Sequence, residues 1–136
     1  MTFSPLLSFR GQCEAAFRCY ERCFGGTIVT MLTYANSPGA EAVPQEWRGK
    51  IFHATLTVGD QLLMGGDVLP EQYEQPKGFQ ISIGIDDPLD AERVFNALAE
   101  HGTVKMPLQQ TFWAVRFGVL VDQFGIPWVI NCEAPH

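Results

Sequence analysis

Long hydrophobic runs, clustered basic residues and paired cysteines are all missing from this chain of 136 residues. No apolar stretch reaches the roughly 20 residues that a membrane-crossing helix requires. The opening residues, MTFSPLLSFRGQ, carry neither a basic leading region nor a small-residue cleavage site. A soluble, cytoplasmic protein with no membrane partner is therefore expected. Lys and Arg number 9 against 15 Asp and Glu, for a net charge of −6. That balance leaves no basic footprint for a phosphate backbone and argues against a nucleic-acid partner. Charged residues are only 18% of the chain, a thin shell that hints at apolar surface covered by a partner. The cysteines stand at positions 13, 19, 23 and 132 with no CxxC pair, which suits neither a disulfide framework nor a zinc knuckle. They read as mostly buried thiols in a reducing compartment. The histidines, His53, His101 and His136, are scattered. A glycine-rich turn leading from a strand into a helix, which a dinucleotide or adenosyl-methionine site needs, is also absent: Gly25-Gly26 ends a helix.

What is present is a pattern used twice. PLLSF is short and apolar, and Gln12 to Phe24 then sets Cys13, Ala16, Phe17, Tyr20 and Phe24 at helical spacing before the two glycines. Thr27 to Tyr34 reads as a strand, and residues 35–50 as a long polar connection with Pro38, Gly39 and Pro44. IFHATLTV and QLLMGG flank Gly59-Asp60 as a hairpin. In the second half FQISIGI (79–85) alternates as a strand, and Asp86-Asp87-Pro88 introduces a helix marked by Ala91, Val94, Phe95 and Leu98. TVKMPLQQ, WAVRFGVLV and PWVINC supply three further strands. Glu14-Ala15 precedes Gly26-Thr27 by the same interval that separates Asp90-Ala91 from Gly102-Thr103, so the helices superimpose by sequence. A single α+β domain is expected, built from two βαβββ modules of about 1–67 and 78–134 joined by loop 68–77. Its helices should cover one face of a shared, cupped mixed β-sheet.

Alternation assigns the faces. Phe52, Ala54, Leu56 and Val58 form one row, with His53, Thr55 and Thr57 opposite. Phe79, Ile81, Ile83 and Ile85 oppose Gln80, Ser82 and Gly84. Trp113, Val115, Phe117, Val119 and Val121 read as the core row, which places Arg116 between Ala114 and Gly118 on the other side. Trp128 and Ile130 oppose Val129 and Asn131. With apolar rows under the helices, His53, Gln80, Arg116 and Asn131 would share the open face. That face is either the wet side of an antiparallel sheet or a ligand site. Phe112, Trp113 and Trp47 suit stacking and cation–π contact near an arginine, and equally a dimer interface.

The segments PLLSFRGQCEAAFRCYERCFGG, IFHATLTVGDQLLMGGD and above all QQTFWAVRFGVLVDQFGIPWVIN resemble the PhnB-like branch of the vicinal oxygen chelate superfamily. That superfamily holds glyoxalase I, bleomycin-resistance proteins and extradiol dioxygenases, and the branch often carries a 3-demethylubiquinone methyltransferase label. The resemblance spans nearly the whole chain. It implies paired βαβββ modules, a cupped sheet around a small-molecule pocket, and a homodimer. It also implies, for metal-using members, His or Glu at four cavity-facing positions on the first and fourth strands of each module. Those positions here hold Pro5, about Met64, Gln80 and Val129, none of them a carboxylate or imidazole. No cofactor is expected, the alternative being a divalent metal at a makeshift site of His53 with Asp67 behind it.

Two functional readings stay open. In the first, the protein binds a small anionic or aromatic molecule without metal, using Arg116, Trp113, Phe112, Gln80, Trp47, Asp67 and Asn131. In the second, it is an enzyme in which His53 moves protons, oriented by Asp67, while Arg116 holds a developing oxyanion. Loop 35–50 suits a lid or a dimer arm, and Cys132 reads as core.

Overall fold

The computed structural model describes residues 1–133. The chain divides into two compact units, one spanning Met1–Glu74 and the other beginning at Gln75. Each is a βαβββ module, as the sequence leads one to expect, and the fold class is α+β. The first holds β1 (Leu6–Phe9), α1 (Cys13–Phe24), β2 (Thr27–Thr33), β3 (Ile51–Val58) and β4 (Gln61–Asp67). The second holds β5 (Ile81–Gly84), α2 (Pro88–Ala99), β6 (Thr103–Gln109), β7 (Ala114–Val121) and β8 (Pro127–Glu133). Hydrogen bonding forms one four-stranded sheet in each, in the orders β1-β4-β3-β2 and β5-β8-β7-β6. The outer pairs β1–β4 and β5–β8 are parallel and the rest antiparallel, because the helix that follows the first strand of each module returns the chain to the sheet.

In the first module Leu7, Phe9, Ala54, Leu56 and Leu63 are buried beneath α1, whose inward stripe is Cys13, Ala16, Phe17, Tyr20 and Cys23. Phe17 sits edge-on to Phe9, with ring centroids 6.2 Å apart. It also fills the notch at Gly65, where an added Cβ would lie 2.7 Å from its ring. A fully buried phenylalanine of this kind contributes about 2 to 3 kcal/mol. α1 ends because Gly25 turns left-handed at φ 70° and its N–H closes on the carbonyl of Glu21.

In the second module Ala91, Val94, Phe95 and Leu98 of α2 cover Trp128, Ile130 and Leu120. Asp87 caps α2 by accepting from the Leu89 N–H at 3.1 Å, and Pro88 follows it at the start of the helix, where its missing donor costs nothing. The two helices do not superimpose residue for residue: Ala15 is exposed whereas Ala91 is fully buried. α2 stops at Ala99 and needs Glu100, His101 at φ 60° and Gly102 to reach β6, whereas α1 reaches β2 through its two glycines. The expected strand 79–85 is ladder-paired only from Ile81 to Gly84. Ile81 pairs with Trp128, and β8 begins one residue earlier at Pro127, which has no N–H to offer residues further back.

Candidate functional site

Within the first module, His53 and Thr55 lie on the face away from α1, with His53 Nε2 and Thr55 Oγ1 3.0 Å apart. A register shift between Leu32 and Thr33 of β2 brings Ile51 as well as Ala54 into the core. The irregularity pushes Phe52 outward, against the edge of Tyr34 at 5.4 Å. Phe52 thus leaves the core row in which its parity placed it.

Asp67 does not orient His53. It is 2% exposed on the helix side of β4, and backbone amides occupy both its carboxylate oxygens. Gly11 and Cys13 donate to Oδ1 and Ile51 donates to Oδ2, each at 2.9 Å. The carboxylate therefore ties the β1–α1 turn, the first turn of α1 and the start of β3 into one knot. The positive end of α1 adds to the stabilisation of its charge. Tyr34 donates its hydroxyl to the Asp67 carbonyl. Burial pushes the Cys13 thiol far above the ordinary thiol range, and the neighbouring Asp67 and Glu14 charges push it further, so Cys13 is not a nucleophile. Burial, then Asp67, raises Tyr34 in the same way.

Loop 35–50 is built of three short 3-10 turns around the buried Val43. Arg48 Nε donates to the Ala40 carbonyl at 3.1 Å and Lys50 Nζ to the Gly11 carbonyl at 3.2 Å. Trp47 lies under the Lys50 ammonium, 5.8 Å from ring centre to nitrogen, and against Gly11, so its stacking partners are within its own module. Its indole Nε1 is buried with no hydrogen-bond partner among the described residues.

Within the second module the expected face of β7 is reversed. Arg116, Gly118 and Leu120 pair across the ladder with Cys132, Ile130 and Trp128. Directly paired residues share a face, and this is the face under α2. An added Cβ at Gly118 would lie 2.6 Å from the Phe95 ring. Small side chains, not large ones, mark the helix side, because they let α2 approach closely. Arg116 accordingly lies beside α2, its Nε donating to Glu92 Oε1 at 3.1 Å and one terminal nitrogen to the Val115 carbonyl at 2.8 Å. It does not share a face with Asn131.

The open face carries Phe117, Val119 and Val121 instead. Phe117 lies opposite Asn131 and Val119 opposite Val129. Phe112 and Trp113 stand in the β6–β7 turn, which is closed by bonds from Thr111 N–H to the Ala114 carbonyl and from Ala114 N–H to Thr111 Oγ1. Trp113 is edge-on to Phe112 at 4.6 Å and to Phe117 at 5.3 Å, making a continuous aromatic group. Phe112 is 97% exposed and Trp113 48%. Asn131 Nδ2 points to Glu133 Oε1 at 3.5 Å, a carboxylate that can only accept, and this orients the amide. Asn131 Oδ1 is then buried with no hydrogen-bond partner among the described residues, an arrangement that costs about 1 to 3 kcal/mol unless something donates to it. Gln80 is exposed just ahead of β5.

Asp122, between β7 and β8, is a further structural carboxylate. It is 5% exposed and accepts from the N–H groups of Phe124 and Ile126 and from Trp128 Nε1. An aspartate opening a hairpin loop six residues ahead of a core tryptophan was the available signal. Cys132 is buried, as expected, and its thiol faces the Asp86 carbonyl at 3.4 Å.

The positions that the family resemblance marks for metal ligands offer a thioether at Met64, one amide at Gln80 and hydrocarbon at Pro5 and Val129. This donor set does not fit a divalent ion. Among the described residues, no group of three or more His, Cys, Asp or Glu could hold a metal. His136 lies outside the described residues, and no helix among them is long and apolar enough to cross a membrane.

Residues 2–130 match the family model of the Glyoxalase/Bleomycin resistance protein/Dioxygenase superfamily. Protein YjdN of Escherichia coli K12 is 32% identical over 139 residues, covering 96% of this chain and 95% of that one. Protein PA1353 from Pseudomonas aeruginosa is 47% identical with a TM-score of 0.89, over 98% of both chains. The PhnB protein from Bacillus cereus is 26% identical with a TM-score of 0.82, over 98% of this chain and 100% of that one.

Proposed function

Given that this chain belongs to the Glyoxalase/Bleomycin resistance protein/Dioxygenase superfamily and is PhnB-like, we propose that it binds a small aromatic molecule without metal, on the open face of its second module. The observation that carries this reading is the Oδ1 of Asn131 beside Phe117, buried and without a partner among the described residues. A ligand with a flat apolar body would lie against Trp113 and Phe117, and a donor on it, an N–H or O–H, would meet Oδ1. Sites built to satisfy one buried polar atom within an apolar surround are selective, because a ligand lacking the donor leaves the atom unpaired. Arg116 is already satisfied by Glu92, so the preference moves from anions toward neutral donors. Phe112 at the turn tip is apolar surface suited to a second copy of the chain, in line with a homodimer. Four thiols with no disulfide among them fit a reducing, cytoplasmic setting.

The experiment is a thermal-shift screen of small aromatic donors against metal-analysed protein, since a ligand that binds only the fold raises the melting temperature. A stabilising compound should lose its effect with Asn131→Leu and Trp113→Ala and keep it with Arg116→Ala. Loss with Arg116→Ala alone would restore the anion reading and remove this one. A second reading, acid–base catalysis, rests on the His53–Thr55 contact at 3.0 Å. It would show as turnover abolished by His53→Ala at unchanged ligand affinity.

A further inference from the structure

We infer that Cys19 and Cys23 of α1 form a two-thiolate site for a soft d10 cation of the Cu(I) and Cd(II) class, apart from the aromatic face described above. The two side chains stand one turn apart on one helix face, with their Sγ atoms 3.8 Å apart. In the metal-free protein the two thiols share a weak hydrogen bond. Two sulfurs each about 2.3 Å from one tetrahedral ion, the zinc–thiolate length, would be about 3.8 Å apart, a spacing that a larger soft ion widens by only a few tenths of an ångström. An ion can therefore bridge them with the helix as it stands. A disulfide would require the sulfurs to close to about 2.05 Å and the Cβ atoms to about 3.8 Å. Residues one helical turn apart hold their Cβ atoms about 5 to 6 Å apart. The pair is thus set for a bridging ion in preference to oxidation.

Access and field agree with this. Cys23 is 5% exposed and Cys19 is half-buried, so the pair lies at the boundary between the core and the helix surface. Both sit in the second half of α1, toward the carbonyl end whose partial negative charge favours a cation. Thiolate sulfur selects soft ions over Mg²⁺ or Ca²⁺. Each thiol releases its proton to solvent as its sulfur–metal bond forms, so one ion enters, two protons leave and nothing is oxidised. Water or a small exogenous thiol completes the coordination.

The test is titration of the reduced, chelator-treated whole chain with Cd(II), followed by thiolate-to-cadmium ultraviolet absorption and by proton release in weak buffer. One ion per chain should bind. The absorption should vanish in Cys19→Ser and in Cys23→Ser and persist in Cys132→Ser. Affinity in the first two should fall by more than the roughly tenfold to hundredfold loss typical of a residue that only supports a metal ligand. Cys19 is half-buried at the margin of the helix's inward stripe, and the metal-free melting temperature of Cys19→Ser checks that the fold persists. Absence of the absorption in the unmodified protein, or its survival in Cys19→Ser, would overturn the inference.

Discussion

Thr55 pairs with Met64 in the first module and Val119 with Val129 in the second, and counting outward from these pairs sets the modules side by side residue for residue. His53, Thr55 and Thr57 then correspond to Phe117, Val119 and Val121. One βαβββ unit shows a hydrogen-bonding row on its open face, and the other a hydrocarbon row, on the same backbone plan. Three residues beyond Met64 and Val129 stand Asp67 and Cys132, both buried. The first is a carboxylate accepting three backbone amides, the second a thiol facing one carbonyl. The difference follows from how each helix begins. α2 has its own cap in Asp87, whereas no side chain caps α1 locally at Gln12. Its leading N–H, that of Cys13, is met instead by Asp67, 54 residues on. Doubling of a module keeps the topology and leaves each copy to satisfy its helix by its own means.

The largest expected effect breaks that contrast directly. Asp67→Ala strands three N–H groups, two of them buried, and should cost at least about 3 kcal/mol in denaturant unfolding. Cys132→Ala, at the corresponding register, should cost about 1 kcal/mol. Next in size are the glycines that precede β2 and β6. A Cβ at Gly26 would lie 2.4 Å from the Thr57 carbonyl oxygen, and one at Gly102 would lie 2.4 Å from that of Val121. Because the obstacle in both cases is backbone, Gly26→Ala and Gly102→Ala should each cost about 2 to 3 kcal/mol. A gap above about 1 kcal/mol between them would show that the modules are less alike than the register implies. Removing the local cap with Asp87→Ala should cost about 1 kcal/mol.

The smallest effect is one of pH and concerns the first module. Cys13 and Tyr34 are both raised by burial and by Asp67. The folded state therefore holds their protons more tightly than the unfolded chain does. Their share of stability is complete below the unfolded values, about 8.5 for a thiol and 10 for a phenol, and is lost as pH rises above them. Melting temperature should fall between about pH 8.5 and 11, with a shallower slope in Cys13→Ala combined with Tyr34→Phe. An unchanged slope would remove both groups as the cause.

Period and punctuation made most of the fold legible in one dimension. The helix stripes, the hairpin at Gly59-Asp60 and the glycines before β2 and β6 are local features, and each names its own conformation. The resemblance carried by QQTFWAVRFGVLVDQFGIPWVIN likewise pointed to the family to which the chain belongs. The candidate site was harder to see, because in β7 both alternating rows are largely apolar. Nothing in residues 113–121 says that Ala114 and Gly118, and not Trp113 and Phe117, face the helix.

The sequence by itself determined that two like modules form and where their strands and helices lie. The tertiary structure alone decided that Arg116 belongs to Glu92, 24 residues away, and that Asp67 belongs to three amides from distant turns. It alone left Asn131 Oδ1 buried without a donor among the described residues. Local conformation follows from neighbours along the chain. The partner of a buried charge or amide is fixed by how closely a helix packs on its sheet, which depends on side-chain volumes far apart in sequence.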